Sequence, residues 1–224
     1  FTGSAGAAII MQDSAAIFVD GRYTLQVKSQ VDNKLFNYES LENGGLTGWL
    51  EANTKAEHTI GYDPKLHTPN ALEKLKKSSK AKLLAIKNNP LDNSWTNRPN
   101  TPSSKIKIHP VEFSGEPHHH KCTRIAKLIS KKNADIALIT SPASIAWLLN
   151  IRGSDVMCTP LTLSTATIDK HGKVQLFVNN DKLTKELRDY LGENVTFFDE
   201  SSIENKLNLL SGYRVLVDPS SASS

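Results

Sequence analysis

The sequence predicts an α/β fold built as two tandem, similar domains, each a mixed β-sheet flanked by helices. Three observations carry that expectation, and the first is an internal repeat. Phe1 to Gly6 reads F-T-G-S-A-G, followed by an apolar run at 7–11, a polar break at Gln12-Asp13-Ser14, a second apolar run ending F-V-D-G-R-Y, and a helical stretch. Leu149 to Asp155 reads L-N-I-R-G-S-D and leads to an apolar run at 161–168, a break at 169–172, a run ending L-F-V-N-N, and another helical stretch. Each copy then reaches a short segment closed by Asp-Pro, I-G-Y-D-P at 60–64 and V-L-V-D-P at 215–219. Gly3, Phe18 and Asp63 map onto Gly153, Phe177 and Asp218 at offsets of 150, 159 and 155 residues, which is steady enough for a duplication. The second observation is that strand-like and helix-like stretches alternate in both halves. The third is that paired runs joined by short polar breaks read as hairpins, so the sheets are mixed rather than purely parallel.

Taken in order, 7–11 and 15–19 form a hairpin whose small and β-branched residues suit a buried sheet. Tyr23, Val27 and Val31 recur at helical spacing. Thr68-Pro69 reads as an N-cap and first helical turn, with Leu72 and Leu75 inward, and 82–86 is the next strand. The Asn- and Pro-rich stretch 88–102, with Pro110 and Pro117, marks the approach to a boundary set at 112/113. The second half opens with a helix burying Ile125, Leu128 and Ile129, then a strand at 136–139. Ser141-Pro142 starts a short helix through Leu149 in which Trp147 and its leucines read as core. Two later helices end at Gly192 and Gly212, where a left-handed C-cap is wanted. The second copy reaches its Asp-Pro and the chain ends five residues later, so the sequence reads as a fragment whose second domain is truncated.

Composition narrows the function classes. At 224 residues the chain accommodates one large domain or two of about 100. Net charge is +4, and the densest cationic cluster, Lys74, Lys76, Lys77, Lys80 and Lys82, has no aromatic neighbour, so it reads as a solvated helix face rather than a nucleic-acid surface. Cys122 and Cys158 stand alone, without metal spacing, and fit free thiols in a reducing compartment. No apolar run approaches the roughly 20 residues that span a bilayer, and no signal peptide is visible. A cytoplasmic protein without nucleic-acid or membrane partners is the expectation.

The search for chemistry is mostly negative. His118, His119 and His120 are adjacent, and neighbours on a helix point about 100° apart, so one metal does not readily take all three. There is no H-E-x-x-H, no C-x-x-C and no phosphate-binding glycine loop. Gly3 and Gly6 read as a tight turn. Two places stand out. Asp20-Gly21-Arg22-Tyr23 lies where a strand meets a helix, a position at which sites collect in α/β sheets. Asp20 is placed to cap the helix, leaving Arg22 either to fork onto a peptide carbonyl or carboxylate or to form a structural ion pair with an acid. The second is 145–155, where Asn150, Arg152 and Asp155 read as a buried polar network that fixes a loop.

The motifs F-T-G-S-A-G, F-V-D-G-R-Y-x-L-Q, I-G-Y-D-P, W-T-N-R-P-x-x-P, S-I-A-W-L-L-N-I-R-G-S-D-V and V-D-P, in that order along nearly all 224 residues, resemble the N-terminal region of Xaa-Pro aminopeptidases of the long, three-domain type. The resemblance implies two creatinase-like domains with a ribonuclease-H-like core, 1–112 lacking its opening strand and 113–224 truncated. It implies that catalysis resides in a pita-bread domain outside this chain. There two divalent metal ions, usually manganese, held by two Asp, one His and two Glu, activate the hydroxide that releases the residue preceding proline. No catalytic or metal-binding residue is therefore expected within the chain. Its two domains are expected to shape and gate the substrate cleft, with Arg22 as the one substrate-binding residue, and the intact protein is expected to be a homodimer. The alternative is a protein-binding or chaperone-like module of a metal-free pita-bread relative. The His118–His120 run departs from the family pattern.

Overall fold

The computed structural model describes all 224 residues and divides into two compact units, Phe1–Asn93 with Ser223–Ser224, and Ser94–Ala222. Residues 94–112, which the sequence reading assigns to the first domain, lie in the second unit. No helix is long and apolar enough to cross a membrane.

In the first unit, β1 (Gly6–Ile10) and β2 (Ala15–Val19) form the expected antiparallel hairpin, with Ala7 opposite Phe18. A parallel neighbour requires a crossover, and a 3₁₀ turn at Gly21–Tyr23 with α1 (Thr24–Gln30) supplies it before β3 (Asn37–Ser40) pairs parallel to β2. Strand β2 is buried on both faces. Ala16 and Phe18 pack with Ile9 and Leu50, while Ile17 and Val19 pack with Val27 on the other side. That is why its sequence is a continuous apolar run instead of an alternation. Then follow α2 (Gly45–Asn53), β4 (Thr59–Tyr62), α3 (Pro69–Ser78), β5 (Lys82–Ala85) and the short α4 (Pro90–Ser94). The Thr68 hydroxyl accepts the Ala71 N–H, so α3 starts where its cap and Pro69 dictate. Strands β4 and β5 pair parallel to each other and form a sheet separate from β1-β2-β3.

The second unit runs β6 (Lys107–Ile108), α5 (Val111–Ser114), α6 (His118–Lys131), β7 (Ile136–Ile139), α7 (Pro142–Leu149), β8 (Ile151–Arg152), β9 (Thr165–Asp169), β10 (Val174–Phe177), α8 (Lys185–Leu191), β11 (Val195–Phe198), α9 (Ile203–Asn208) and β12 (Val215–Leu216). Its main sheet has the order β11-β10-β9-β7-β12, with β6 and β8 as a separate antiparallel pair. The outer pairs β10/β11 and β7/β12 are parallel, and the two inner pairings of β9 are antiparallel. The mixed α/β class expected from the sequence is the class the chain adopts. The core gathers Ile129 from α6, Ile145, Leu148 and Leu149 from α7, Ala166 and Ile168 from β9, Val174 and Leu176 from β10, and Leu187 and Leu191 from α8. Gly192 ends α8 with φ of +64°, a conformation that costs glycine little.

Two expected core residues are not in the core. The buried stripe of α6 runs through His118, Lys121, Cys122, Ala126 and Ile129. Leu128, one position off that stripe, is 50 % exposed. Trp147 is 43 % exposed while its neighbours Leu148 and Leu149 are sealed. In each helix the neighbouring leucine or isoleucine occupies the inward arc, and a step of about 100° turns the other residue out.

Ile168 lies fully buried in the central strand of the five-stranded sheet. Ile168→Ala is expected to lower unfolding stability by roughly 2–5 kcal/mol. Leu128→Ala should stay within about 0.5 kcal/mol. Urea denaturation of the two variants checks both the core and the turned-out position.

Candidate functional site

Asp20 follows the buried strand β2 in extended conformation and accepts the Arg22 backbone N–H at 3.0 Å, which starts the 3₁₀ turn. The same carboxylate takes the Arg22 side chain edge-on, with Nε 3.1 Å from both oxygens and Nη2 2.6 Å from Oδ2. The ion pair with Asp20 expected as one role of Arg22 is therefore present. It does not bury the guanidinium. The Arg22 side chain is 68 % exposed, Asp20 only 18 %, and Nη1 takes no bond from the pair. The guanidinium carbon lies 5.2 Å from the Tyr23 ring centroid. Tyr23 Oη is 2.5 Å from Ser4 Oγ, and the Phe1 ring meets the Tyr23 ring edge-on at 5.7 Å. The hydrogen bond from the Arg22 side chain holds the Asp20 carboxyl below its usual range, and Asp20 in turn raises Arg22. The Ser4 contact lowers the Tyr23 phenol. The result is a guanidinium fixed at a strand end with one edge presented to solvent, a geometry suited to gripping a carbonyl or carboxylate.

The second candidate region resolves into two networks rather than one. Asn150 ends α7 at φ of +53° and is buried. Its Oδ1 accepts from Lys121 Nζ at 2.6 Å, and its Nδ2 donates to the Glu116 carbonyl at 2.8 Å. Lys121 Nζ also donates to the Trp147 carbonyl at 2.9 Å and sits 4.8 Å from that ring's centroid, with Arg124 at 5.5 Å. Burial pushes the Lys121 ammonium below its usual range. Arg152 keeps to itself, donating from Nη1 to the Ala146 and Ile151 carbonyls.

Asp155 anchors the other network. Lys182 Nζ donates to Oδ2 at 2.7 Å, and both side chains are fully buried. Oδ2 also accepts from Thr162 Oγ1 and the Leu163 N–H, and Oδ1 accepts from the Ser104 hydroxyl and N–H. Burial alone would raise this carboxyl, but the bonds from Lys182, Ser104 and Leu163 outweigh it and hold the group at about 2. Gly153 belongs to the same loop, because a Cβ there would come within 2.8 Å of Thr162 Cβ and 2.9 Å of the Leu161 carbonyl oxygen. These residues fix a loop, the structural role expected for them. Lys121 and Lys182, the cations that complete the two networks, escaped the sequence reading because nothing in their local sequence separates them from solvated lysines.

The histidine run does not converge. Nε2 of buried His118 donates to the Tyr190 carbonyl at 3.2 Å, and burial lowers its pKa, whereas His119 and His120 face solvent. No group of three or more His, Cys, Asp or Glu side chains comes together to hold a metal ion. Cys122 is buried, its thiol pushed up to about 11 by desolvation, and Cys158 is exposed. A cleft of about 700 Å³ opens at the C-terminal end of β7 between α6 and α7. Ile125, Leu138, Trp147 and Leu148 form its apolar wall, and Thr140, Ser144, Asp218 and Ser221 its polar rim.

Two family models, each described as a creatinase/prolidase N-terminal domain, match this chain at residues 1–89 and 97–224. The chain is 34 % identical over 212 residues to a probable Xaa-Pro aminopeptidase P of Talaromyces stipitatus, covering 91 % of this chain and 32 % of that protein. It is 35 % identical over 217 residues to the probable Xaa-Pro aminopeptidase P of Coccidioides posadasii, covering 94 % and 33 %. It thus spans about a third of the length of these curated relatives. Among solved structures it resembles the X-prolyl aminopeptidase of Caenorhabditis elegans, described as a cytosolic enzyme with a di-nuclear active site, at a TM-score of 0.87 and 26 % identity, over 96 % of this chain and 37 % of that one.

Because Asp155 sits lower in the folded than in the unfolded chain, its stabilisation is full above about pH 4 and is lost as pH falls toward about 2. Lys182→Met, which strands the carboxylate, is expected to cost roughly 3–5 kcal/mol, and adding Asp155→Leu to recover little of it, because the Ser104, Thr162 and Leu163 donors then lose their acceptor. Urea melts at pH 7 and through that acid window test both, the double variant losing the acid dependence that Asp155 contributes.

Proposed function

The chain belongs to the creatinase/prolidase N-terminal domain family, and on that premise we propose that it is the N-terminal region of an Xaa-Pro aminopeptidase, shaping and gating the approach of peptides to a catalytic domain outside it. In this reading the intact protein is a cytoplasmic, homodimeric hydrolase that removes the residue preceding a proline in second position. Its catalysis depends on two divalent metal ions, of which manganese is the proposed identity. The division into domains at 1–112 and 113–224 is part of the same proposal.

The residues of this chain do not suit a metal pair. His118 is committed to a backbone carbonyl, Asp155 to a buried lysine and Asp20 to Arg22. When bound in the intact protein, the metal pair would supply an activated hydroxide and polarise the scissile carbonyl, and no step of that chemistry is assigned to residues here. What this chain contributes is binding and positioning. The observation that carries the reading is the exposed, pre-oriented Arg22 guanidinium at the end of β2. Its free edge can grip a peptide carbonyl or carboxylate, while Asp20 holds the other edge and Tyr23 supports the plane. A lysine would not substitute, since an ammonium cannot be held along one edge and present another.

Arg22→Ala in the intact enzyme is expected to lower kcat/KM for Xaa-Pro peptides by about 10- to 100-fold, as loss of a charge-assisted hydrogen bond implies, with an unchanged melting temperature. Unaltered kinetics would leave Arg22 a structural partner of Asp20. The purified 224-residue chain should release no N-terminal residue from an Xaa-Pro peptide. Chelator-sensitive release by the chain alone would place metal chemistry within it and overturn the reading.

A further inference from the structure

The motif F-T-G-S-A-G forms a strap over Tyr23, the residue that follows Arg22. One end of the strap is fixed by the sheet, where Gly6 lies opposite Val19, next to Asp20. The other end is tied to α1. The Thr2 N–H donates to Gln30 Oε1 at 2.9 Å, and Thr2 Oγ1 accepts from Gln26 Nε2 at 3.0 Å and Gln30 Nε2 at 3.1 Å. Between these ends the Ser4 hydroxyl meets Tyr23 Oη at 2.5 Å, and the Phe1 ring stands edge-on to the Tyr23 ring. Gly3 is what lets the strap lie this close. A Cβ there would come within 2.3 Å of Phe1 Cζ and 3.1 Å of Tyr23 Cδ1, although the backbone of Gly3 has no positive φ. Its counterpart in the repeat, Gly153, also admits a close approach, so this glycine answers a need for space in both copies.

What the strap holds is the ring against Arg22. The guanidinium carbon lies 5.2 Å from the Tyr23 ring centroid, within the range of a cation–π contact. Asp20 binds the same guanidinium along one edge, through Nε and Nη2. A group held along a single edge still rocks about the line of those hydrogen bonds, and the rocking swings its free edge through an arc. A ring against the face limits that motion, provided the ring is itself fixed. The Ser4 hydroxyl fixes the phenol end of Tyr23, and the edge of Phe1 meets the ring. The lowered Tyr23 phenol agrees, because a hydrogen bond from Ser4 favours its charged form.

We propose that Tyr23 is a positioning residue for Arg22, and that Ser4 is a second one acting through Tyr23. Together they set the plane in which the guanidinium meets a peptide carbonyl or carboxylate. The inference rests on the reading of Arg22 as the residue that grips substrate, and it joins two separate motifs into one site. Antiparallel pairing of β1 with β2 carries the start of the first, F-T-G-S-A-G, to the end of the strand that bears the second, D-G-R-Y. A guanidinium that rocks grips the bound substrate and the transition state equally less well, so the deficit falls on KM and not on kcat. Its size is the worth of one neutral hydrogen bond, about 2- to 10-fold.

Kinetics and nuclear relaxation together test this. In the intact enzyme, Tyr23→Phe and Ser4→Ala are each expected to raise KM for Xaa-Pro peptides about 2- to 10-fold with kcat unchanged. Ser4→Thr, which keeps the hydroxyl, should behave as the native protein. In an Arg22→Ala background neither substitution should have a further effect, because both act through the guanidinium. The 224-residue chain reads the positioning without substrate. There the order parameter of the Arg22 Nε–H bond is expected to fall from about 0.85 toward about 0.6 in Tyr23→Phe and Ser4→Ala, and to hold in Ser4→Thr. An unchanged order parameter in both variants overturns the proposal. So does a KM effect that persists without Arg22, which would make Tyr23 a substrate contact in its own right. Normal kinetics in Tyr23→Phe beside an impaired Arg22→Ala overturns it as well. A lowered order parameter with normal kinetics in all the variants, Arg22→Ala included, supports the positioning and instead removes Arg22 from substrate binding.

Discussion

Asp155 ties its own loop to three other stretches of the second unit. Its two oxygens take five hydrogen bonds, from Ser104, Thr162, Leu163 and Lys182. A carboxylate and an ammonium fully removed from water are costly unless both are well paired, and here the remaining lone pairs of the acid are filled by hydroxyls and amides. The consequence is geometric. The segment before β6, the loop after β8, the entry to β9 and the turn before α8 must meet at one point for the pair to form. Around it the sheet then closes, with the Ile106 N–H donating to the Lys182 carbonyl at 2.9 Å and β6 pairing with β8. Breaking the pair would release several separate elements at once, so the interaction makes this part of the unit cooperative.

A second buried cation follows a different logic. Lys121 has no acid in ion-pair contact. It is held by two oxygen acceptors, the Trp147 carbonyl and Asn150 Oδ1, and by the face of an indole. Carbonyl dipoles and an aromatic quadrupole do there what a carboxylate does for Lys182. This explains why Trp147 stands half out of the core. Its ring caps Lys121 on one side and faces the cleft beside β7.

Much of the fold was legible because its signals are local. Thr68-Pro69 and Ser141-Pro142 announce helix starts by cap chemistry, and both helices begin there. The runs at 7–11 and 15–19 are short and broken by Gln12-Asp13-Ser14, which leaves a hairpin as the simplest pairing. The duplication was visible in three landmarks, Gly3, Phe18 and Asp63, which recur as Gly153, Phe177 and Asp218. What was not legible depends on distant partners. Asp155 was readable as a loop-fixing acid, yet Lys182 lies 27 residues away in N-N-D-K-L, a context that looks solvated. Leu128 and Trp147 were misplaced for a subtler reason. On each helix several apolar residues compete for one inward arc, and only the packed neighbours decide which is turned out. Arg22 was legible as a position, the end of a strand beside a glycine, and its partner Asp20 was legible too because it lies two residues away.

That short separation has a thermodynamic consequence. An arginine side chain carries about 2 kcal/mol of rotamer entropy, which an unrestrained guanidinium loses when it grips something. Asp20 contacts Nε as well as Nη2, and a bond to Nε restrains every torsion of the stem, not only the terminal one. Much of the conformational freedom of Arg22 is therefore already surrendered when β2 and its turn fold. Whatever meets the outer edge of this guanidinium finds it in a single orientation, and the entropy cost of that encounter is correspondingly smaller.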